Sequence, residues 1–397
     1  LKFKKLATLS LAVTLAVLPT TGQAFASPQL DTAKNEVNTQ SEAGKFVKGE
    51  VVVKFKEGKS LNGKQAKQLE AQELEGHEVV DSDVKILKVG NVEKVVKALN
   101  NNPNVEYAEP NYVFDATWTP NDTYYSGVQY GPQNTDTPAA WDITRGSSSQ
   151  EIAIIDSGVD YNHPDLDGKT ILGYDFVDND YDPMDLNNHG THVAGTAAAE
   201  TNNSQGVAGM APNTKILAVR ALGANGSGSL YDIADAIRYS ADYGAEVINL
   251  SLGCDCDTQT LEDAVNYAWN KGSVVIAAAG NDGVSTTFEP ASYDNAIAVG
   301  AVDSNNNKAS FSNYGTWVDV TAPGVDIAST MPNGGYAYMS GTSMAAPHVA
   351  GLAGLLASQG RSNDNIRAAL EQTADPIYGT GFYFEHGVIN SYDAVTY

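Results

Sequence analysis

Cysteine is nearly absent from this chain. Its 397 residues include two, Cys254 and Cys256, which excludes a disulfide-rich scaffold and leaves the fold to a hydrophobic core. Positive charge is scarce as well. The chain has 24 Lys and Arg against 48 Asp and Glu, a net charge of −24. That balance disfavours nucleic acid or an anionic membrane as a partner, since both require basic patches. It suits divalent cations. No run of about 18 or more consecutive apolar residues occurs, so the sequence predicts a soluble product without a spanning helix. Internal repeats and low-complexity tracts are missing too, which excludes a repeat architecture.

What is present is unevenly spread. Residues 1–117 carry 15 basic and 15 acidic side chains, whereas residues 118–397 carry 9 and 33. The whole negative excess lies in the second part, so a boundary is expected near 117. Residues 1–26 read as a secretory signal, with Lys2, Lys4 and Lys5, the apolar stretch Leu6 to Leu18, and the small-x-small site Ala24-Phe25-Ala26. The stretch is too short for a membrane anchor, so an extracellular product is expected. Residues 27–117 alternate strand-like and helix-like segments. Strands are expected at Gly49 to Phe55, Val84 to Val89 and Asn104 to Glu109, and helices at Lys64 to Glu75 and Val92 to Leu99. This β-α-β-α-β order predicts a small α+β, ferredoxin-like domain. From residue 118 onward, short apolar runs end near Asp156, Val219, Ser251, Ala278 and Val299, with helical stretches between them. The alternation predicts an α/β domain built on a doubly wound, mostly parallel sheet. Such sheets place ligands at the carboxyl ends of their strands, where Asp156, Ser251 and Asn281 fall.

Three short segments carry chemistry: Asp156-Ser157-Gly158, His189-Gly190-Thr191-His192 and Gly341-Thr342-Ser343-Met344-Ala345. They supply a carboxylate, an imidazole and a hydroxyl. A serine hydroxyl is a weak nucleophile that needs a base, and the base needs a third group to orient it. Each residue has a plainer reading. Asp156 alone can end a strand, and Ser343 alone can cap a helix. His189 and His192 alone could be a metal pair, but no Glu lies between them and no third ligand has an obvious spacing. The joint occurrence, in the order Asp, His, Ser, favours an acyl-transfer triad.

With Asn162-His163-Pro164-Asp165-Leu166, Gly206-Val207-Ala208-Gly209, Ser251-Leu252-Gly253, Ala277-Ala278-Ala279-Gly280-Asn281 and Ala322-Pro323-Gly324, these segments resemble the subtilases, the subtilisin-like serine endopeptidases. The opening Trp118-Thr119-Pro120-Asn121-Asp122 and the acidic run after Tyr174 are similar to the thermitase-like branch. One departure is Ala346, where the family usually has Ser or Thr. The resemblance implies Asp156, His189 and Ser343 as the catalytic residues, with the Asn281 amide as an oxyanion donor. It implies that Ser251, Leu252 and Gly253 pair with extended polypeptide substrates. Ala278 and Gly280 would wall a primary pocket with room for a large apolar or aromatic side chain. It implies residues 27–117 as an inhibitor/chaperone propeptide, self-cleaved to leave a mature, monomeric 118–397 that binds neither membrane nor nucleic acid.

Calcium is implied at two or more sites. The run from Asp175 to Asp185 places five carboxylates in eleven residues. Charges this dense repel one another unless a cation is present, and the plainer alternative is a solvated acidic loop. The resemblance gives Asp175, Asp178 and Asp180 as side-chain ligands, Asp182 through its carbonyl, and Asp185 in place of an amide ligand where this chain has Met184. It gives the second site as Asp122, Asp165 and Asn203 with the carbonyls of Glu200, Gln205 and Val207.

Cys254 and Cys256, one residue apart in a chain expected to be exported, invite a disulfide. An extended pair at this spacing has Cα atoms about 7 Å apart, at the limit a bridge tolerates, so the backbone at Asp255 would have to bend. Two free thiols are the alternative. A zinc pair lacks further ligands nearby.

Overall fold

The computed structural model describes residues 37–38, 46–73, 84–113 and 118–397. The expected signal segment and Thr117, at the expected cleavage point, lie outside the described residues. The chain divides into two compact units, 1–115 and 116–397.

In the first unit, the strand Phe46–Phe55 lies between Val84–Lys88 and Val105–Tyr112, antiparallel to both. Val51, Val53 and Phe55 alternate inward and are buried. The helix Val92–Asn100 brings Val92, Val95 and Leu99 to the same core, at the spacing that makes one helical face. Fully burying side chains of this size contributes about 1.5–3 kcal/mol each. The helix expected over 64–75 is shorter. It runs Gly63–Gln68 behind an Asn62 capping box, then Glu70 takes a φ of 50° and the chain turns into the short strand Gln72–Glu73.

The second unit is a seven-stranded parallel sheet with helices on both faces. In chain order the strands are β1 (Glu151–Asp156), β2 (Thr170–Asp175), β3 (Lys215–Arg220), β4 (Val247–Leu250), β5 (Val274–Ala278), β6 (Ala296–Val302) and β7 (Val320–Pro323). Their spatial order is β7-β6-β5-β4-β1-β3-β2. Apart from the edge strand β2, where Leu172 is exposed, the strands are buried on both faces and read as continuous apolar runs. Alternate residues still go to different cores. Ile152 and Ile154 of β1 pack under helices α1 (His189–Ala198) and α4 (Thr342–Ala357). Ala153 and Ile155 pack under α2 (Leu230–Tyr243) and α3 (Gln259–Lys271). Helix α4 is buried on every side, which explains why its sequence is apolar all round. Its Pro347 is the sixth residue, inside the helix, and the Ser343 carbonyl left without that N–H accepts from Ser251 Oγ. A hairpin, β8 (Ile327–Met331) with β9 (Gly335–Met339), leads directly into Gly341.

One buried amine, whose pKa burial lowers to about 7, closes a loop of this unit. Lys169 directs its Nζ at the carbonyls of Pro212 (2.5 Å), Ala211 (3.3 Å) and Ala199 (3.4 Å). It thereby ties together both ends of the segment that follows α1.

Candidate active site

The sheet order reverses on either side of β1, and Asp156 stands at the carboxyl end of that strand, fully buried. Helix α1 begins at His189 and meets it closely. A side chain at Gly190 would strike the Gly158 carbonyl and the Asp156 side chain, so only glycine permits this approach. The His189 Nδ1 lies 2.8 Å from Asp156 Oδ1 and 2.9 Å from Oδ2. A carboxylate there places the ring proton on Nδ1 and leaves Nε2 as the basic nitrogen. Nε2 has no hydrogen-bond partner among the described residues. Burial opposes a charged ring here. The Asp156 charge and hydrogen bond, with Asp185 behind them, outweigh it and raise the His189 pKa above its ordinary value.

Asp185 was expected at a cation site, and the structure places it elsewhere. Its carboxylate accepts from Ser157 Oγ (2.8 Å), the N–H groups of Asn187 and Asn188, and both the N–H and the hydroxyl of Thr191. It is buried, and it secures the first turn of α1 and the loop after Asp156. The signal for this role was its position just before a helix start, where negative charge meets free N–H groups.

Ser343 lies in the first turn of α4. Its hydroxyl donates to the Ser251 carbonyl at 3.2 Å, and Ser251 Oγ donates to the Ser343 carbonyl at 2.8 Å. The nucleophile candidate is thus held against the end of β4, and its hydroxyl is not bonded to His189. Asn281 accepts from the Thr342 N–H (2.8 Å) and hydroxyl (3.1 Å) through Oδ1. That fixes the amide orientation and leaves the NH2 group free as a donor. The Gly280 N–H donates to Thr342 Oγ1 from a backbone with φ of 96°.

A profile described as the subtilase family matches residues 147–390, and one described as the fervidolysin N-terminal prodomain matches residues 32–111. The chain belongs to the subtilase family. It is 69% identical over 401 residues to the thermophilic serine proteinase of Bacillus sp. strain AK1, with all of both chains covered. It is 60% identical to thermitase of Thermoactinomyces vulgaris, over 70% of this chain and all of that one. Among solved structures, a protease from Pseudoalteromonas arctica PAMC 21717 superposes with a TM-score of 0.65 at 33% identity, covering 70% of this chain and 99% of the other. The protein is therefore a thermitase-like serine endopeptidase with an N-terminal prodomain. It acts on polypeptides.

Three other histidines of the subtilase are buried and hydrogen-bonded within the fold. His192 donates from Nε2 to the Ile327 carbonyl at 2.9 Å, and its buried Nδ1 has no partner. His348 pairs through Nδ1 with the Met344 carbonyl. Burial lowers both rings to about 4, so neither is charged near neutrality. His163 is bonded on both nitrogens, to the Gly335 carbonyl and the Asp165 N–H.

The residues expected at one calcium site come together. The Asn202 N–H donates to Asp122 Oδ2, and the Asn203 amide and Val207 N–H donate to the two oxygens of Asp165. Asp122 Oδ1 is buried without a partner. Burial, with a contribution from Asp165, raises the Asp122 pKa. Two facing carboxylates and an orphaned oxygen fit a cation better than an empty cage. No group of three or more His, Cys, Asp or Glu side chains is placed for a metal among the described residues, so carbonyls must complete any such shell. The acidic loop is arranged differently. Arg220 Nη1 bridges Asp175 (2.5 Å) and Asp178 (2.6 Å), which offsets part of the charge from within the chain. Asp180 accepts from the Asp182 N–H, and Asp182 from the Tyr161 hydroxyl.

Cys254 and Cys256 are bridged, with Cα atoms 5.2 Å apart. The bend at Asp255 is therefore present. The bridge and Glu289 form one wall of a cavity of about 500 Å³ that opens between His189 and Ser251–Gly253, with Leu222, Leu230, Ile233 and Leu261 in its lining. Where a roomy slot beside Ala278 and Gly280 was expected, the Phe288 ring lies close to both Gly253 and Gly280. An added Cβ on Gly253 would lie 2.8 Å from its Cδ1, and one on Gly280 would lie 3.0 Å from its Cγ.

Proposed function

We propose that Ser343 is the nucleophile, His189 its general base and Asp156 the group that orients the ring. The Ser343 hydroxyl turns from the Ser251 carbonyl to His189, gives up its proton to Nε2 and attacks the substrate carbonyl. The Asn281 amide and the Ser343 N–H hold the oxyanion, preorganised at a helix start. Nε2 then protonates the leaving amine, and water, activated by the same ring, releases the acyl group. The observation that carries this reading is the convergence of a carboxylate-held imidazole, an open Nε2 and a free amide nitrogen at the start of the Ser343 helix.

The substrate pairs in extended form with Ser251–Gly253, and recognition through the backbone gives broad specificity. The cavity beside His189 accepts its large apolar or aromatic side chains. The Cys254–Cys256 bridge stiffens this edge of the cleft. Calcium stabilises the native state, held by Asp122, Asp165 and Asn203 with carbonyls of Glu200, Gln205 and Val207; a second ion at Asp175, Asp178 and Asp180 with the Asp182 carbonyl would require the Arg220 guanidinium to move off Asp175 and Asp178. Bound between Asp122 and Asp165, it neutralises two buried carboxylates. The chain is exported through residues 1–26, and residues 27–117 inhibit the enzyme until cleavage between Thr117 and Trp118. Support for that terminus comes from the Trp118 N–H, which donates to Asp142 at 3.0 Å, since a freed ammonium would pair with the same carboxylate.

The test is Ser343→Ala. The variant should hydrolyse no casein, take up no serine-directed organophosphate and remain an unprocessed precursor. Processing in the purified variant, or labelling of another residue, overturns the assignment.

A further inference from the structure

We infer that Phe288 closes the slot next to the scissile bond, so that this enzyme favours small residues there and takes bulky ones at the neighbouring cavity. The inference rests on the reading of Ser251–Gly253 as the substrate-pairing strand. Two backbone segments, 251–253 and 278–280, flank the slot. Each presents a glycine, so without another occupant a substrate side chain would lie flat between them. The occupant here is a phenyl ring of the protein itself. A Cβ on Gly253 would strike Phe288 Cε1, and a Cβ on Gly280 would lie 3.1 Å from Phe288 Cδ1, tighter than ordinary van der Waals contact. One ring touches both walls at once.

The ring is also anchored. The next residue, Glu289, is buried, and its N–H and carbonyl both pair with Cys254, at 2.9 Å each. The attachment point of Phe288 is therefore fixed to the strand that forms one wall of the slot. A substrate side chain entering between these two segments therefore meets the ring. Successive side chains of an extended peptide face opposite ways. The preceding residue accordingly faces the cavity of about 500 Å³, whose lining includes Leu222, Leu230, Ile233 and Leu261. Bulk excluded at one position is accommodated at the next.

The experiment uses the mature enzyme and capped tetrapeptide anilides that differ only in the residue before the scissile bond: Ala, Leu or Phe. The expected kcat/KM is highest for Ala and lower for Phe by about tenfold or more, a size that pocket contacts of this kind reach. Phe288→Ala should raise the Phe-to-Ala ratio by a similar factor. A parent enzyme that prefers Phe overturns the inference without any variant. So does a ratio that Phe288→Ala leaves unchanged, because the preference then comes from elsewhere. Casein hydrolysis, followed in parallel, reports on the catalytic reading separately.

Discussion

Asp185 shows how one carboxylate can serve the chemistry without touching the substrate. It collects five hydrogen bonds around the start of α1 and adds negative charge behind His189. A base must be neutral to accept a proton, so activity rises with pH through the His189 pKa. Asp185→Asn removes a charge that holds this pKa up. The acid limb of the kcat/KM profile should therefore move to lower pH, and the fold should lose about 1.5–3 kcal/mol through buried donors left poorly matched. A limb that stays in place or moves to higher pH contradicts the charge argument. The meeting of Asp156 with His189 was legible in the sequence because Gly190, next to the histidine, is what the close approach requires. Asp185 was misassigned because its partners Ser157 and Thr191 come from either side of it and its neighbours are acidic. Phe288 was not legible at all. Its ring reaches Gly253 and Gly280 only after the loop that carries it folds back over both.

Helices α1 and α4 hold the imidazole and the hydroxyl, and each also carries a buried histidine, His192 and His348. The unfolded chain protonates such rings near 6.5, whereas burial holds His192 and His348 neutral to about 4. Below 6.5 the unfolded state binds protons that the native state refuses, so stability falls as the pH drops towards 4. The loss is about 1.4 kcal/mol per pH unit for each ring. Asp319 works the other way over part of this range, since burial lifts its carboxyl to about 6 despite Arg367. A comparison at one site avoids that interference. His348→Asn, made on a Ser343→Ala background to prevent autolysis, should unfold in urea with a shallower pH dependence between 6 and 4. Equal slopes would exclude His348 as the acid-sensitive group. At this scale the apolar runs of the parallel strands predicted the sheet well, because burial on both faces imprints directly on sequence. The helix expected over 64–75 was overextended. Its polar residues bury nothing in the core, so the left-handed turn at Glu70 meets no resistance.

Across the whole molecule, the negative excess sits in residues 118–397 and recurs as buried, facing carboxylates. Ligands drawn from Asp122, Asp165 and the 200–207 segment are scattered in sequence, so an unfolded chain cannot reproduce the cage. At a hundredfold excess of calcium over Kd, one such site would contribute about 2.7 kcal/mol. Chelation of the mature enzyme, blocked at Ser343 with an organophosphate to prevent autolysis, should lower its melting temperature by several degrees, and calcium but not sodium should restore it. An unchanged transition after verified metal removal contradicts the proposal. The amine of Lys169 sets a limit on what chelation can undo. A dissolved ion can leave, but a clasp that is part of the chain cannot be dialysed away. Stripping the metal should therefore loosen the threads around Asp122 while the stitch joining Ala199 to Ala211 and Pro212 holds, and a protease added at that moment should cut near residue 120 before it cuts beyond 199.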